Sequence, residues 1–171
     1  SIRSCRNYCK GKRLILKKMN SNYSVWLYQI NRKLNEQEEA IILAKLQDFA
    51  KNWTAHQSPL PANVQIKYHQ FIILTADESS VKASGCAIDS ATHAMQSIEK
   101  EFNLNLFDRQ LFTYKIAEEV FTLNATDFQL AIDNGIINEG TLVFNNLVRN
   151  TEDLANKWEV PLKNSWHRNL F

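Results

Sequence analysis

The chain has 171 residues, 44% of them hydrophobic and 11% aromatic, with only four glycines and three prolines. These proportions exclude a collagen-like, low-complexity or largely disordered chain. No apolar run reaches the roughly 20 residues that a membrane-spanning helix needs, so a soluble protein without membrane insertion is expected. The length suits a single domain that buries about 70% of the surface its unfolded chain exposes.

The formal net charge of +2 is unevenly distributed. Residues 1–18 hold Arg3, Arg6, Lys10, Lys12, Arg13, Lys17 and Lys18 and no acid. The remainder carries 13 basic and 18 acidic residues, a net of −5. The expected organisation is a basic N-terminal tail over 1–18, non-native or disordered, with Met19 the native start, and a single globular domain over 19–171. An organellar targeting peptide or a basic arm for nucleic acid are the other readings of the tail. Nucleic-acid binding needs that tail, because a net charge of −5 repels phosphate. Cys5 and Cys9 lie in the tail with no matching Cys/His pair at zinc-finger spacing, so no metal site is expected. Cys86 is then alone in the domain and has no partner for an intramolecular bridge. That points to a reducing, cytoplasmic compartment.

In chain order, "SVWLYQI" (24–30) is aromatic and β-branched and reads as a strand. Residues 35–53 read as a helix. Asn35 and Glu38 have capping-box spacing, and Ile42, Leu46, Phe49 and Trp53 form an apolar stripe. Pro59 and Pro61 mark a loop. "VQIKYHQ" (64–70) alternates like a half-buried strand, and "FIILTAD" (71–77) is a continuous apolar run like a central one. After a loop, a helix is expected from Asp89 or Ser90, carrying Ala91, Ala94, Met95, Ile98 and Phe102 on one face. Residues 111–117 read as a strand extending into "VFTL". A short helix over 126–135 places Gly135 just past its end. A strand over 141–148 and a helix over 151–158 follow. The expected class is α+β, a largely antiparallel or mixed sheet with helices mainly on one face. The early elements follow a loosely ferredoxin-like β-α-β-β-α-β order.

The phrases "NWTAH", "FIILTADE", "SGCAIDS", "LFDR", "TLVFNNLV" and "SWHRNLF" together resemble a small family of uncharacterised bacterial proteins often labelled "ABC transporter ATPase". The resemblance covers most of 19–171 and agrees with a start at Met19. It implies no established activity and carries over no catalytic residue. Association with a transporter rests on that label alone. A P-loop needs glycines that let backbone N–H groups approach phosphate, followed by Lys and then Ser or Thr. The glycines are Gly11, Gly85, Gly135 and Gly140. Only Gly11 precedes a lysine, and Arg13 stands where Ser or Thr is required. The sequence therefore speaks against a P-loop ATPase, and it implies no cofactor.

Three segments are candidates for chemistry. In the first, Gly85 gives backbone freedom, and Cys86 would precede the positive end of a helix starting at Asp89 or Ser90. A thiolate there needs a base, and His56 or His167 could supply one. His93 lies near the solvent face of that helix. The bland alternative makes Asp89 or Ser90 an N-cap, Gly85 a turn residue and Cys86 a small buried hydrophobe. The second segment is C-terminal. There, Trp166, His167 and Arg168 could form a stacked cationic surface, or Trp166 and Phe171 could simply dock the chain end. In the third, Asn145 and Asn146 could read an amide or carboxylate or could make turn bonds. Asp77 and Glu78 read as solvated strand-end charges, and Asp108 with Arg109 as a loop ion pair. The leading expectation is a non-catalytic module that binds a small anionic ligand or a protein partner. The alternative is a thiol-dependent enzyme with Cys86 as nucleophile and His56 or His167 as base.

Overall fold

The computed structural model describes residues 22–171. The basic tail with Cys5 and Cys9, and the expected start at Met19, lie outside the described residues. The fold is α+β, and all strand pairing within its sheets is antiparallel.

The first sheet holds β1 (Ser24–Gln29), β4 (Ala62–Lys67) and β5 (Phe71–Ala76), in the order β1-β5-β4. A two-residue ribbon, β2 (Thr54–Ala55) with β3 (Ser58–Pro59), stands apart. The apolar run in β5 has a simple cause. Phe71 to Leu74 are each 0% exposed, because both faces of this central strand are covered. One face packs under helices α1 (Glu36–Lys51) and α2 (Gly85–Phe102). Ile72 and Leu74 meet Ile42, Leu46, Trp53, Ala87 and Met95 there.

The other face packs on a second sheet. Its strands are β6 (Leu111–Ile116), β7 (Glu119–Asn124), β8 (Leu142–Phe144) and β9 (Glu159–Pro161), in the order β7-β6-β8-β9. Val25, Phe71 and Ile73 of the first sheet meet Val120, Phe144, Val148 and Trp158 across the junction. The outer face of the second sheet is covered by α3 (Ala125–Asp133) and the C-terminal segment. Phe112, Tyr114 and Val143 pack there on Phe128, Ile137 and Leu162. The layers are helix, sheet, sheet, helix. A short α4 (Thr151–Lys157) precedes β9. The β-α-β-β-α-β order holds along the chain through β6 if the ribbon is set aside. The sixth strand, however, pairs in the second sheet.

Local chemistry sets the helix starts. Asn35 Oδ1 accepts from Glu38 N at 2.8 Å and Glu38 Oε2 accepts from Asn35 N at 3.1 Å, a reciprocal capping box. Gly135, at φ 74°, follows the end of α3. Two expectations need correction. The cap of α2 is Ser84, whose Oγ accepts from Ala87 N at 3.1 Å, so Asp89 and Ser90 lie inside the helix. The strand after 111 does not run on into "VFTL". It turns at Ala117, which has φ 53°, and pairs back as β7. The β4–β5 hairpin turns through Tyr68 and His69, at φ 54° and 55°. Both residues are in the left-handed region, and Gln70 N closes this three-residue turn on Lys67 O at 3.1 Å.

Candidate functional site

β1 is an edge strand of its sheet, paired there only with β5, with one further bridge from Ser24 to Asn150 at its start. Antiparallel pairing turns the backbone groups of alternate residues to opposite sides. Ile30 N donates to Gln70 O on the β5 side at 2.8 Å. Val25 N donates outward to Arg149 O at 2.9 Å, and Asn31 N donates outward to Asn105 O at 3.1 Å. The odd-numbered residues therefore face outward, and two loops close the edge at its ends. Between these closures, the N–H and C=O groups of Leu27 and Gln29 have no hydrogen-bond partner among the described residues.

This open stretch lines a cleft of about 610 Å³ at the junction of the two sheets. Residues 106–109, the start of β6, Phe144, Asn146, Leu147, Arg149, Trp166 and His167 form the rest of its lining. Side chains of Val25, Leu27 and Gln29 share one face of β1, the face toward the second sheet.

Gln29 is 8% exposed, and its amide is oriented by a chain of bonds. The Trp158 indole N–H, which can only donate, reaches Asn146 Oδ1 at 3.0 Å. Asn146 Nδ2 then donates to Gln29 Oε1 at 2.6 Å. Gln29 Nε2 is left buried without a partner. Flipping either amide, or both, sets donor against donor, so no rearrangement of the three groups relieves it. An unsatisfied buried donor of this kind costs about 1–3 kcal/mol.

The other polar side chains of the lining include His167, Arg109, Arg149 and one acid, Asp108. His167 is 3% exposed, with its ring against Trp166, Phe112 and Phe128, and burial pushes its pKa down to about 4. Ser165 Oγ accepts from His167 N at 3.4 Å and lies 2.6 Å from His167 Nδ1. Arg149 Nη1 turns back to the carbonyls of Asn146 and Val148. Arg109 makes no hydrogen bond or ion pair among the described residues. The expected pair with Asp108 is not made, and Asp108 Oδ1 accepts from Gln110 N instead. Exposed Phe107, Leu147 and Trp166 add apolar surface to the lining.

The structure brings together the second and third segments singled out in the sequence. Asn146, Trp166 and His167 line the cleft, and Asn145 positions Trp166 by accepting its indole N–H at 3.0 Å. Trp166 stacks on His167 at 4.0 Å, and not on Arg168, which is exposed and donates to Lys163 O. The first segment lies elsewhere, at the start of α2 on the outer helical layer. Gly85 is the first residue of that helix. It does not have a positive φ, and an added Cβ would meet nothing within 4 Å, so nothing there demands glycine. Cys86, Asp89 and Ser90 are exposed, and Ser90 Oγ donates to Ala87 O. His56 sits exposed in the β2–β3 turn at φ 50°. No hydrogen bond joins Cys86 to His56 or His167. Glu78 is a structural acceptor for Ser24 Oγ and Ala83 N, and Asp77 caps Ser79 N. Among the described residues no group of three or more His, Cys, Asp or Glu side chains comes together to hold a metal ion. No described helix is long and apolar enough to cross a membrane.

Sequence reading missed Gln29 and Arg149. Gln29 had one available signal, its place at i+4 from Val25 and i+2 from Leu27 on a strand face that is otherwise apolar. The fold and site define a two-sheet α+β protein with a cleft beside an open strand edge, lined by two arginines and one aspartate. No family model matches the chain, and comparison with curated proteins and with solved structures gives no match.

Proposed function

We propose that this protein is a non-catalytic binding module whose ligand occupies the cleft beside β1 and presents a carboxylate or amide oxygen to Gln29. The observation that carries this reading is the buried, unpartnered Gln29 Nε2, fixed in direction by Asn146 and Trp158. A ligand oxygen there supplies the missing acceptor and removes a standing penalty. The free Arg109 guanidinium favours an anionic group, as charge-assisted bonds are the stronger ones. A volume near 610 Å³ falls within the range of small-ligand sites. The transporter-ATPase label adds no chemistry, since the P-loop pattern is missing from the sequence. The thiol-enzyme reading lacks the contact it needs between Cys86 and an imidazole.

The test is a titration of ¹⁵N-labelled protein with acetate, glutarate and acetamide, following the Gln29 side-chain amide and the Trp166 indole resonances. Saturable shifts at both, lost in Gln29→Met, are expected. No shift at Gln29 with any of the three probes would overturn the reading.

A further inference from the structure

We infer that the cleft receives an extended acidic peptide, added as a further strand along the outer edge of β1, with a carboxylate side chain opposite Gln29. This rests on the binding reading above and names the ligand class.

The edge itself argues for a peptide. A compact carboxylate satisfies Gln29 Nε2 but leaves the N–H and C=O of Leu27 and of the Gln29 backbone unpaired. An antiparallel peptide strand exchanges two bonds with each of those residues, which is how strand addition gains affinity. The free stretch, spanning Leu27 to Gln29, lies between the bonds from Val25 N to Arg149 O and from Asn31 N to Asn105 O. At about 3.3 Å per residue it accepts a short segment only. Ligand side chains alternate across the strand. The one opposite Gln29 lies on the face of β1 that carries the Gln29 side chain, within the distance of a cross-strand pair. Its neighbour faces the Tyr28 side, where Phe107 packs edge-on against Tyr28 at 5.8 Å.

Charge and shape select the occupant. The lining holds Arg109 and Arg149 against the single acid Asp108, so the cleft is locally cationic on a domain of net charge −5. The chain's own N-terminal segment carries seven positive charges within residues 1–18 and is repelled by the same guanidinium groups. A second copy of β1 is excluded by the two loops, which close the edge at both ends in each copy. A slender acidic segment from a partner protein meets both conditions.

The probe is a capped pentapeptide of glutamate, threonine, valine, threonine and valine, tested in both chain directions against the full chain. Hydrogen exchange is read residue by residue. Binding is expected to slow exchange at the Leu27 and Gln29 amides by roughly tenfold or more. The Trp26 and Tyr28 amides, already bonded to β5, should not change. Lysine in place of glutamate, N-methylation of the peptide amides that face Leu27, or Arg109→Glu should each weaken binding roughly tenfold. A version with glutamine for glutamate and a free C-terminus separates a chain-end carboxylate from a side-chain one. If only that version binds, the side-chain assignment is overturned. If acetate or glutarate shifts Gln29 while no peptide protects Leu27, the strand addition falls and the binding reading stands. If neither probe binds, both fall. Equal binding of the lysine peptide overturns the acidic preference.

Discussion

Asn146 Nδ2 donates to Gln29 Oε1 at 2.6 Å across 117 positions of the chain, tying the edge of the first sheet to the loop that follows β8. Because Asn146 also accepts from Trp158, it decides which end of the Gln29 amide is free. Asn146→Asp tests that directly. One aspartate oxygen would accept from Trp158 and the other from Gln29 Nε2, so Gln29 would turn Oε1 toward the ligand. The site then offers an acceptor, and carboxylate affinity should drop roughly tenfold or more with stability within about 1 kcal/mol of wild type. Asn146→Leu differs, because it strands both Trp158 Nε1 and Gln29 Oε1 and should cost about 2–4 kcal/mol in urea unfolding.

His167 makes stability depend on acid. Its ring is enclosed by Trp166, Phe112, Phe128 and Ser165, none of them charged, and burial holds its pKa near 4 against an ordinary 6.5. Between those values the unfolded chain binds the proton and the folded chain does not, so stability rises with pH. The contribution is complete above pH 6.5 and is lost as pH falls toward 4, by on the order of 2 kcal/mol. Denaturant unfolding across that range should show the slope in wild type and a flatter one in His167→Asn. Equal slopes would contradict a buried neutral imidazole.

Much of the fold is legible because periodicity and caps are local. The Asn35–Glu38 box sets the start of α1, and the apolar run from Phe71 marks a strand covered on both faces. Sheet membership is not local. Nothing in the spacing of β6 says that it leaves β1, β4 and β5 to pair with β7 and β8. Gln29 stayed hidden for the same reason. A glutamine in a half-buried strand reads as solvent-facing until a second sheet is known to lie over it. Asn146, Trp166 and His167 were legible as unusual residues, but their meeting at β1 depends on packing between sheets that no spacing encodes.

The start of α2 gives a sharp contrast between neighbouring residues. Ser84 Oγ caps Ala87 N, so Ser84→Ala should cost about 1 kcal/mol. Asp89 is exposed and makes no hydrogen bond, so Asp89→Ala should stay within about 0.5 kcal/mol of wild type. Thermal unfolding of the two variants side by side reads the difference. A larger loss at Asp89 would mean that the helix begins later than Ser84.

At the β4–β5 turn, one carboxylate holds two elements together. Glu159 accepts the Tyr68 hydroxyl, 2.8 Å from Oε1, and pairs with Lys115 Nζ at 2.6 Å. The Lys115 and Glu159 side chains are only 13% and 26% exposed, and the Tyr68 ring rests on Phe71, Phe144 and Trp158. Glu159→Leu leaves a mostly buried ammonium without its counter-charge, with only the Tyr68 hydroxyl at 3.2 Å to accept from it, and should cost about 2–3 kcal/mol, the partial exposure keeping it below a fully buried pair. Lys115→Met leaves the tyrosine bond in place and should cost less, and the double variant should show coupling of about 1 kcal/mol or more. The same carboxylate raises Lys115 above the ordinary 10.5, and burial followed by Glu159 raises Tyr68 above 10.0. In both groups the folded chain keeps a proton that the unfolded chain releases. Their stabilisation is therefore present at neutral pH and is lost as pH rises beyond about 10. Wild type should lose stability from that point, while Glu159→Gln, already weakened at neutral pH, should lose less on the same rise. A parallel decline in the two proteins would show that Lys115 and Tyr68 do not depend on Glu159.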